Sequence, residues 1–353
     1  MNILIAAGGT GGHIYPAIAL AEKFIVDGND VTFIGSKNRM EATVIPEKGY
    51  KYIGISVLST SGSIINKFKS LISIYSTYKE CLKIVKDYDL VVGFGNYISV
   101  PVVLAANKLK IKTVIHEQNS FVGRANLFLD KKVDLVIGSY KENLKQFKNK
   151  NTFILGNPQA GKASKCLKDG SVIKNLGLDP NKKTVVIFMG SLGSLTVNSR
   201  LIEFFKIADG SYQIVYATGS SYYKTVKDAN IENDFIKVFE RIDGMNVMKN
   251  ATLLVSRAGA TTLAEICAMG VPSILIPSPY VPNNHQYHNA MALVNNNAAC
   301  FISEDDLSAD TLDSLIKSII NDESKLASMH KNALSLSNEN VLEDISEKIY
   351  NLC

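Results

Sequence analysis

The chain has 353 residues, enough for two domains that each bury a core. Hydrophobic residues make up 46% and charged residues 20%, which excludes a disordered chain. The formal net charge is +5, with lysine spread along the sequence; this speaks against a nucleic-acid partner and fits an anionic surface or substrate.

The five cysteines (Cys81, Cys166, Cys267, Cys300, Cys353) are scattered and lack CxxC spacing, so reduced thiols and no zinc site are expected. The N-terminus reads as a strand and not as a signal peptide. No apolar run reaches the roughly 18 residues of a membrane span.

Asn2 to Ala7 read as a buried strand, Gly8-Gly9-Thr10-Gly11-Gly12 as a glycine loop, and Ile14 to Phe24 carry helical spacing. Strand, glycine loop and helix together set backbone N–H groups against an anionic ligand, although the same loop can serve only as a tight turn. Asp30 to Gly35 read as strand two. A GxGxxG fingerprint from Gly9 would need glycine where Ile14 stands, and the ribose-binding acid expected after strand two is replaced by Gly35-Ser36. A hydride-transfer enzyme is therefore not expected.

Residues 50–57 form another short strand. From Leu58 to Tyr88, Ile64, Phe68, Leu71, Ile72 and Tyr75 are interleaved with lysines and exceed what one buried face needs. That suits a membrane-surface element, and equally a solvated helix packing one face inward. Asp89 to Tyr97 repeat the strand and glycine loop. A helix follows from Val100, with Pro101 in its first turn. Thr113 to Asn119 read as a strand ending in polar residues. In a parallel sheet, this brings His13, Tyr97, His116, Glu117 and Asn119 to one edge. Val133 to Gly138 and Phe153 to Pro158 close the half, and Gln159 to Asn181 read as a linker.

The second half repeats the plan. Thr184 to Met189 read as a strand, Gly190 to Ser194 as a second glycine loop, and Val197 to Phe205 as a helix. Leu253 to Ser256 run into Arg257-Ala258-Gly259-Ala260, where Thr261 or Thr262 is the expected helix cap. Further strands are expected at 214–217, 235–239 and 271–277, with helices in the last 45 residues. The expected architecture is α/β, with two Rossmann-like, doubly wound parallel sheets facing across a cleft. The expected domains are 1–158, 159–336 and a terminal helix at 337–353 that packs back on the first domain.

GGTGGHIYP at 8–16, GFGNYISVP at 93–101, HEQN at 116–119, GNP at 156–158, SRAGATTLAEICAMGVPSILIP at 256–277 and NHQYHNA at 284–290 occur in order. This set resembles the MurG family of bacterial N-acetylglucosaminyltransferases, within glycosyltransferase family 28, over nearly the whole chain. The resemblance implies the GT-B fold and a UDP-GlcNAc donor. It implies an undecaprenyl-pyrophosphoryl-MurNAc-pentapeptide acceptor (lipid I), a lipid II product for peptidoglycan synthesis, and a peripheral position on the cytoplasmic face of the cell membrane.

The resemblance also assigns roles. Thr10, Gly11 and Gly12 face the donor, Asn119 touches its sugar, and Ser191 meets the diphosphate. Ile242 contacts uracil through its backbone. Ala260, Thr261, Thr262, Leu263, Ala264 and Glu265 cradle diphosphate and ribose, with Glu265 on the ribose hydroxyls. Gln286 lies near the donor sugar, and Tyr97 and Arg257 stand among the substrate-binding candidates. The sequence departs twice from the family pattern. Ala160 stands where an arginine is usual, with Lys162 as the nearby cation, and Leu192 stands where a glutamine is usual.

The reaction implied is attack of the MurNAc 4-hydroxyl on C1 of GlcNAc with inversion. It needs a base, and His13 at the loop–helix junction is the first candidate, because imidazole titrates near neutrality. His116 is the runner-up, with Glu117 orienting a histidine. No acidic pair stands at a strand end, so no obligatory metal or other cofactor is expected. An anionic membrane surface is the expected docking partner. The alternatives are a GT-B transferase with another lipid acceptor, a UDP-GlcNAc 2-epimerase-like isomerase, or a diverged non-catalytic paralogue.

Overall fold

The computed structural model describes residues 1–57, 64–190 and 194–353, with the side chains of 64–71, Leu195 and Pro282 outside the description. The chain divides into two compact units. One comprises Met1–Gly161 with Asn338–Cys353, and the other Lys162–Ser337.

The first unit holds a seven-stranded sheet, β1 (Asn2–Ala6), β2 (Asp30–Ser36), β3 (Lys51–Ile55), β4 (Leu90–Gly93), β5 (Lys112–Glu117), β6 (Leu135–Gly138) and β7 (Thr152–Ile154), in the order β3-β2-β1-β4-β5-β6-β7. All pairs are parallel, with Ile3 opposite Val31 on one side and Leu90 on the other. Helices cover both faces, so the central strands read as continuous apolar runs: Ile3, Leu4, Ile5, Val91 and Val92 are fully buried.

The second unit holds β8 (Thr184–Phe188), β9 (Gln213–Ala217), β10 (Ile236–Phe239), β11 (Leu253–Ser256), β12 (Ser273–Leu275) and β13 (Ala299–Phe301), parallel, in the order β10-β9-β8-β11-β12-β13. Its core packs Val185, Ile187 and Val255 against Phe204, Leu312 and Ile316. The strand order reverses direction between β1 and β4 in one unit and between β8 and β11 in the other. The loops leaving these strands' carboxyl ends diverge there and open a crevice for ligand. Gly9 after β1 and Gly190 after β8 lie at these switch points.

Local chemistry moved several boundaries. The helix after β4 spans Asn96–Lys108, so Pro101 sits in its second turn and not its first. Asn96 takes a left-handed conformation, φ 53°, which tightens the entry. The helix after β11 spans Ala260–Met269 with Gly259 at its cap and no side-chain cap bond. Thr261 and Thr262 are therefore inside its first turn and do not cap it. The stretch expected to be a linker carries two short helices, Pro158–Ala163 and Gly170–Asn175, the latter capped by Asp169. Helix Glu41–Glu47 and strand β13 had no clear sequence signal.

The last helix, Val341–Tyr350, packs on the first unit. Tyr350 donates to Asp27 Oδ2 at 2.8 Å, and its ring lies 6.0 Å from Phe24. A Cβ on Gly161 would meet Leu342 Cγ at 2.7 Å, so glycine permits this approach.

Candidate active site in a family 28 chain

In the first unit, Ala6 ends β1 and the chain turns through Gly8 and Gly9, φ 84° at Gly9, into helix Gly11–Val26. Thr10 occupies the cap position with extended backbone, and its Oγ1 lies 3.0 Å from His13 Nδ1. His13 is half-buried. Its ring reaches the second switch-point loop, where a Cβ on Gly95 would sit 3.5 Å from His13 Cδ2 and 3.4 Å from Asn126 Nδ2. Gly95 has φ 83°, a conformation suited to glycine.

His116 is fully buried on β5, stacked on Phe94 with ring centroids 5.3 Å apart. Its Nε2–H donates to the Gly156 carbonyl at 3.0 Å, and Nδ1 has no hydrogen-bond partner. Burial pushes its pKa down to about 4; the bond to Gly156 pulls it back only in part, and the neighbouring His13 lowers it further. The imidazole is therefore neutral at pH 7 and enclosed by protein. That geometry suits a residue that shapes the crevice, not one that meets a substrate hydroxyl.

Glu117 is also buried, and its expected role in orienting a histidine is not what the structure shows. Oε1 accepts from Asn119 N at 3.0 Å and Asn119 Nδ2 at 3.1 Å. Oε2 accepts from Gly123 N and Asn126 Nδ2, both at 2.9 Å. Burial raises its pKa while these four donors lower it. It is the knot of the 117–123 turn and fixes the side chain of Asn119. Asn126, which the sequence did not single out, ties Glu117 to the His116 carbonyl at 3.0 Å. Tyr97 is half-buried in the first turn of helix Asn96–Lys108.

In the second unit, helix Ala260–Met269 starts at the end of β11 with no side-chain cap and no acidic residue in its first turn. Its N–H groups and dipole favour an anion there. Ala260 and Leu263 face the core; Thr261, Thr262, Ala264 and Glu265 are half-buried along the other side. Gly270 ends the helix in the left-handed conformation, φ 66°.

Arg257 departs from the expected substrate contact, because its guanidinium is turned into the protein. Nη1 donates to the Ile276 carbonyl at 2.9 Å and Nη2 to Ser194 Oγ at 2.7 Å. Nη2 also lies 2.5 Å from Glu304 Oε1. Glu304 Oε2 in turn accepts from Thr196 Oγ1 at 2.8 Å. The planar fork thus clamps the end of the second glycine loop to the ends of β11 and β12. Ser191 itself lies outside the described residues, as does Leu192.

Ile242 is half-buried ahead of helix Gly244–Lys249, which Asp243 caps through Asn246 N. Gln286 is held by Ser278 N, which donates to its Oε1 at 2.9 Å. Burial raises the Cys166 thiol; Asp243 and Glu265 raise it further, while Lys249 and Lys162 lower it. Asp243, Glu265, Lys249 and Lys162 thus all act electrostatically on the one thiol. Sequence spacing gave no hint of that.

Residues 3–137 match the glycosyltransferase family 28 N-terminal domain, and residues 184–349 match the glycosyltransferase family 28 C-terminal domain. The chain belongs to glycosyltransferase family 28. A family 28 relative from Listeria monocytogenes serotype 4b is 38% identical over 100% of this chain and 99% of its own length. It is named UDP-N-acetylglucosamine--N-acetylmuramyl-(pentapeptide) pyrophosphoryl-undecaprenol N-acetylglucosamine transferase. A relative of the same name from Caldanaerobacter subterraneus subsp. tengcongensis is 37% identical over 100% of this chain and 99% of its own length. Among solved structures, MurG of Acinetobacter baumannii covers 99% of both chains with a TM-score of 0.77 at 23% identity. The UDP-GlcNAc 2-epimerase of Methanocaldococcus jannaschii covers 99% of this chain and 100% of its own with a TM-score of 0.68 at 16% identity. At these identities the structural likenesses speak to fold alone, and a transferase and an isomerase share it.

Proposed function

We propose that this family 28 chain is an inverting glycosyltransferase that moves GlcNAc from UDP-GlcNAc to the 4-hydroxyl of the MurNAc of lipid I, giving lipid II. The observation that carries the reading is full-length identity of 37–38% to relatives of that name. The site chemistry supports it.

His13 is the base. With Thr10 Oγ1 accepting Nδ1–H, Nε2 holds the lone pair that takes the hydroxyl proton, as the oxygen attacks C1 and UDP leaves from the opposite face. The uncapped start of helix Ala260–Met269 receives the departing diphosphate, where a helix terminus contributes about 0.3–1 kcal/mol. Glu265 serves the ribose and the Ile242 backbone the uracil. Lys162, which acts on the same Cys166 thiol as Glu265, supplies positive charge as a point and not as a fork. Arg257 positions Ser194 at the end of the second glycine loop; Asn119, held by Glu117, and Gln286, held by Ser278 N, are the candidates for the donor sugar.

The acceptor is a lipid, so the chain docks on an anionic membrane surface. Helix Ile64–Ile84 exposes Ile72 (57%) and Tyr75 (60%), with Lys79 Nζ 4.8 Å from the Tyr75 ring centroid. The side chains of Ile64, Phe68 and Leu71 fall outside the described ones. Among the described residues no helix is long and apolar enough to cross a membrane.

The test is incubation with UDP-GlcNAc and a short-chain lipid I analogue. A β-1,4-linked disaccharide product is expected. Free ManNAc, or no turnover of either substrate, would overturn the reading.

A further inference from the structure

The first glycine loop already holds an anion, and it belongs to the protein. Glu41 opens the short helix Glu41–Glu47 and is fully buried. Its Oε2 accepts the Gly9 N–H at 2.9 Å. Its Oε1 accepts Ser36 N at 3.1 Å and Ser36 Oγ at 2.7 Å. A Cβ on Gly8 would run into this carboxylate and stand 2.8 Å from Ile98 Cδ1. A Cβ on Gly35 would stand 2.8 Å from Glu41 Cγ. Gly8 thus makes room for Glu41, while Gly35 lets Glu41, the Tyr52 hydroxyl and the Ala7 carbonyl close in together. On the other side of the loop, Asn96 Nδ2 donates to the Gly8 carbonyl while Asn96 Oδ1 accepts from Ile98 N at 2.8 Å. Tyr52 closes the outer wall by donating to the Ser36 carbonyl at 2.6 Å.

We propose that Glu41 is the built-in anion of the first glycine loop, taking the Gly9 N–H that a phosphate would otherwise take and so positioning Thr10 and His13. One N–H cannot serve a buried carboxylate and a phosphate at once, and two anions sharing it repel. Gly9 therefore contributes nothing to holding the pyrophosphate of either substrate. The loop is a fixed bracket: Glu41 and Asn96 hold Gly8 and Gly9, Thr10 follows with extended backbone, and Thr10 Oγ1 meets His13 Nδ1. Glu41 is a positioning residue. Its kinetic consequence rests on His13 being the base; its occupation of the loop does not.

Two measurements on the full chain test this. In the first, the Gly9 amide signal of the isotopically labelled wild-type protein is followed while inorganic pyrophosphate is added. Gly9 is expected to stay in place; a saturable shift of that amide would overturn the proposal. In the second, Glu41→Gln keeps the volume but turns an amide NH2 toward a donor. It is expected to lower kcat by about 10- to 100-fold, because small misplacements of a catalytic group cost that much. The KM for UDP-GlcNAc should stay within about twofold and the His13 ring signals should move. An unchanged kcat, or a loss that tracks the melting temperature and the donor KM together, counts against it. If Glu41→Gln does not fold, the pyrophosphate titration decides alone. Should His13→Ala keep the wild-type rate, the base assignment falls, while the Gly9 titration still judges the anion role.

Discussion

Arg257 Nη2 lies 2.5 Å from Glu304 Oε1, and both side chains are almost wholly buried. The same guanidinium holds Ser194, at the end of the second glycine loop. Removing the carboxylate would leave a buried cation partnered only by neutral oxygens. Glu304→Ala should cost about 3 kcal/mol of stability, read from chemical denaturation. Arg257→Lys keeps the charge but loses the fork, so it should weaken UDP-GlcNAc by about tenfold in calorimetry. A fully stable, tight-binding Arg257→Lys protein would remove the clamp role.

His116 makes stability depend on pH with a defined sign. Its pKa falls from the ordinary 6.5 to about 4 on folding. The unfolded chain therefore binds more protons between those values. The contribution is complete above about pH 7 and is lost as pH falls from 6.5 toward 4, reaching about 3 kcal/mol. Glu117, whose carboxyl burial pushes up, acts in the opposite direction. The difference between wild type and His116→Gln isolates the imidazole. Denaturant midpoints at pH 5 and pH 8 should differ less in the variant; an equal difference would show that His116 titrates normally.

Loss of the His13 imidazole should lower kcat by about 10²–10⁴-fold with little change in donor binding. Thr10→Val removes only the oxygen 3.0 Å from Nδ1, so a smaller kcat loss of roughly fivefold is expected, from about 1 kcal/mol. Steady-state kinetics with a soluble acceptor distinguishes the two. Equal losses would mean that Thr10 acts through more than the histidine.

Ile72 and Tyr75 stand exposed on helix Ile64–Ile84. Burying each in a bilayer surface is worth about 1–2 kcal/mol. The double change to serine should therefore weaken binding to phosphatidylglycerol vesicles by about tenfold or more, measured by co-sedimentation. The melting temperature should hold, since neither side chain is in the core. Wild-type vesicle affinity in that variant would move the docking surface elsewhere.

Much of the fold was legible because parallel strands buried on both faces must be apolar throughout. Ile3 to Ala6, Leu90 to Val92 and Val185 to Ile187 therefore announce themselves in sequence. Glycines at strand ends marked the switch-point loops for a similar reason, since φ above 80° at Gly9, Gly95 and Gly190 is open mainly to glycine. The short elements were harder. Helix Glu41–Glu47 carries a proline and too few residues for a clear period. Thr261 and Thr262 resembled caps, but the backbone of Gly259 takes that position.

The sequence by itself determined the two-sheet plan, the strand edges on which candidate residues fall and the family, because strand periodicity, glycine placement and ordered motifs are local properties. Only the tertiary structure decided what each polar residue faces. Glu117 and Arg257 looked like reacting or binding groups and are held as braces: Glu117 by Asn119, Gly123 and Asn126 of the stretch that follows it, and Arg257 by Ser194, Ile276 and Glu304 from other segments. Glu41 was invisible for the converse reason. A carboxylate becomes the anion of a glycine loop 32 residues away only when β1 and β2 pair and bring Gly9 to it. Hydrogen-bond geometry and desolvation are set by which segments meet, and one-dimensional spacing does not carry that information.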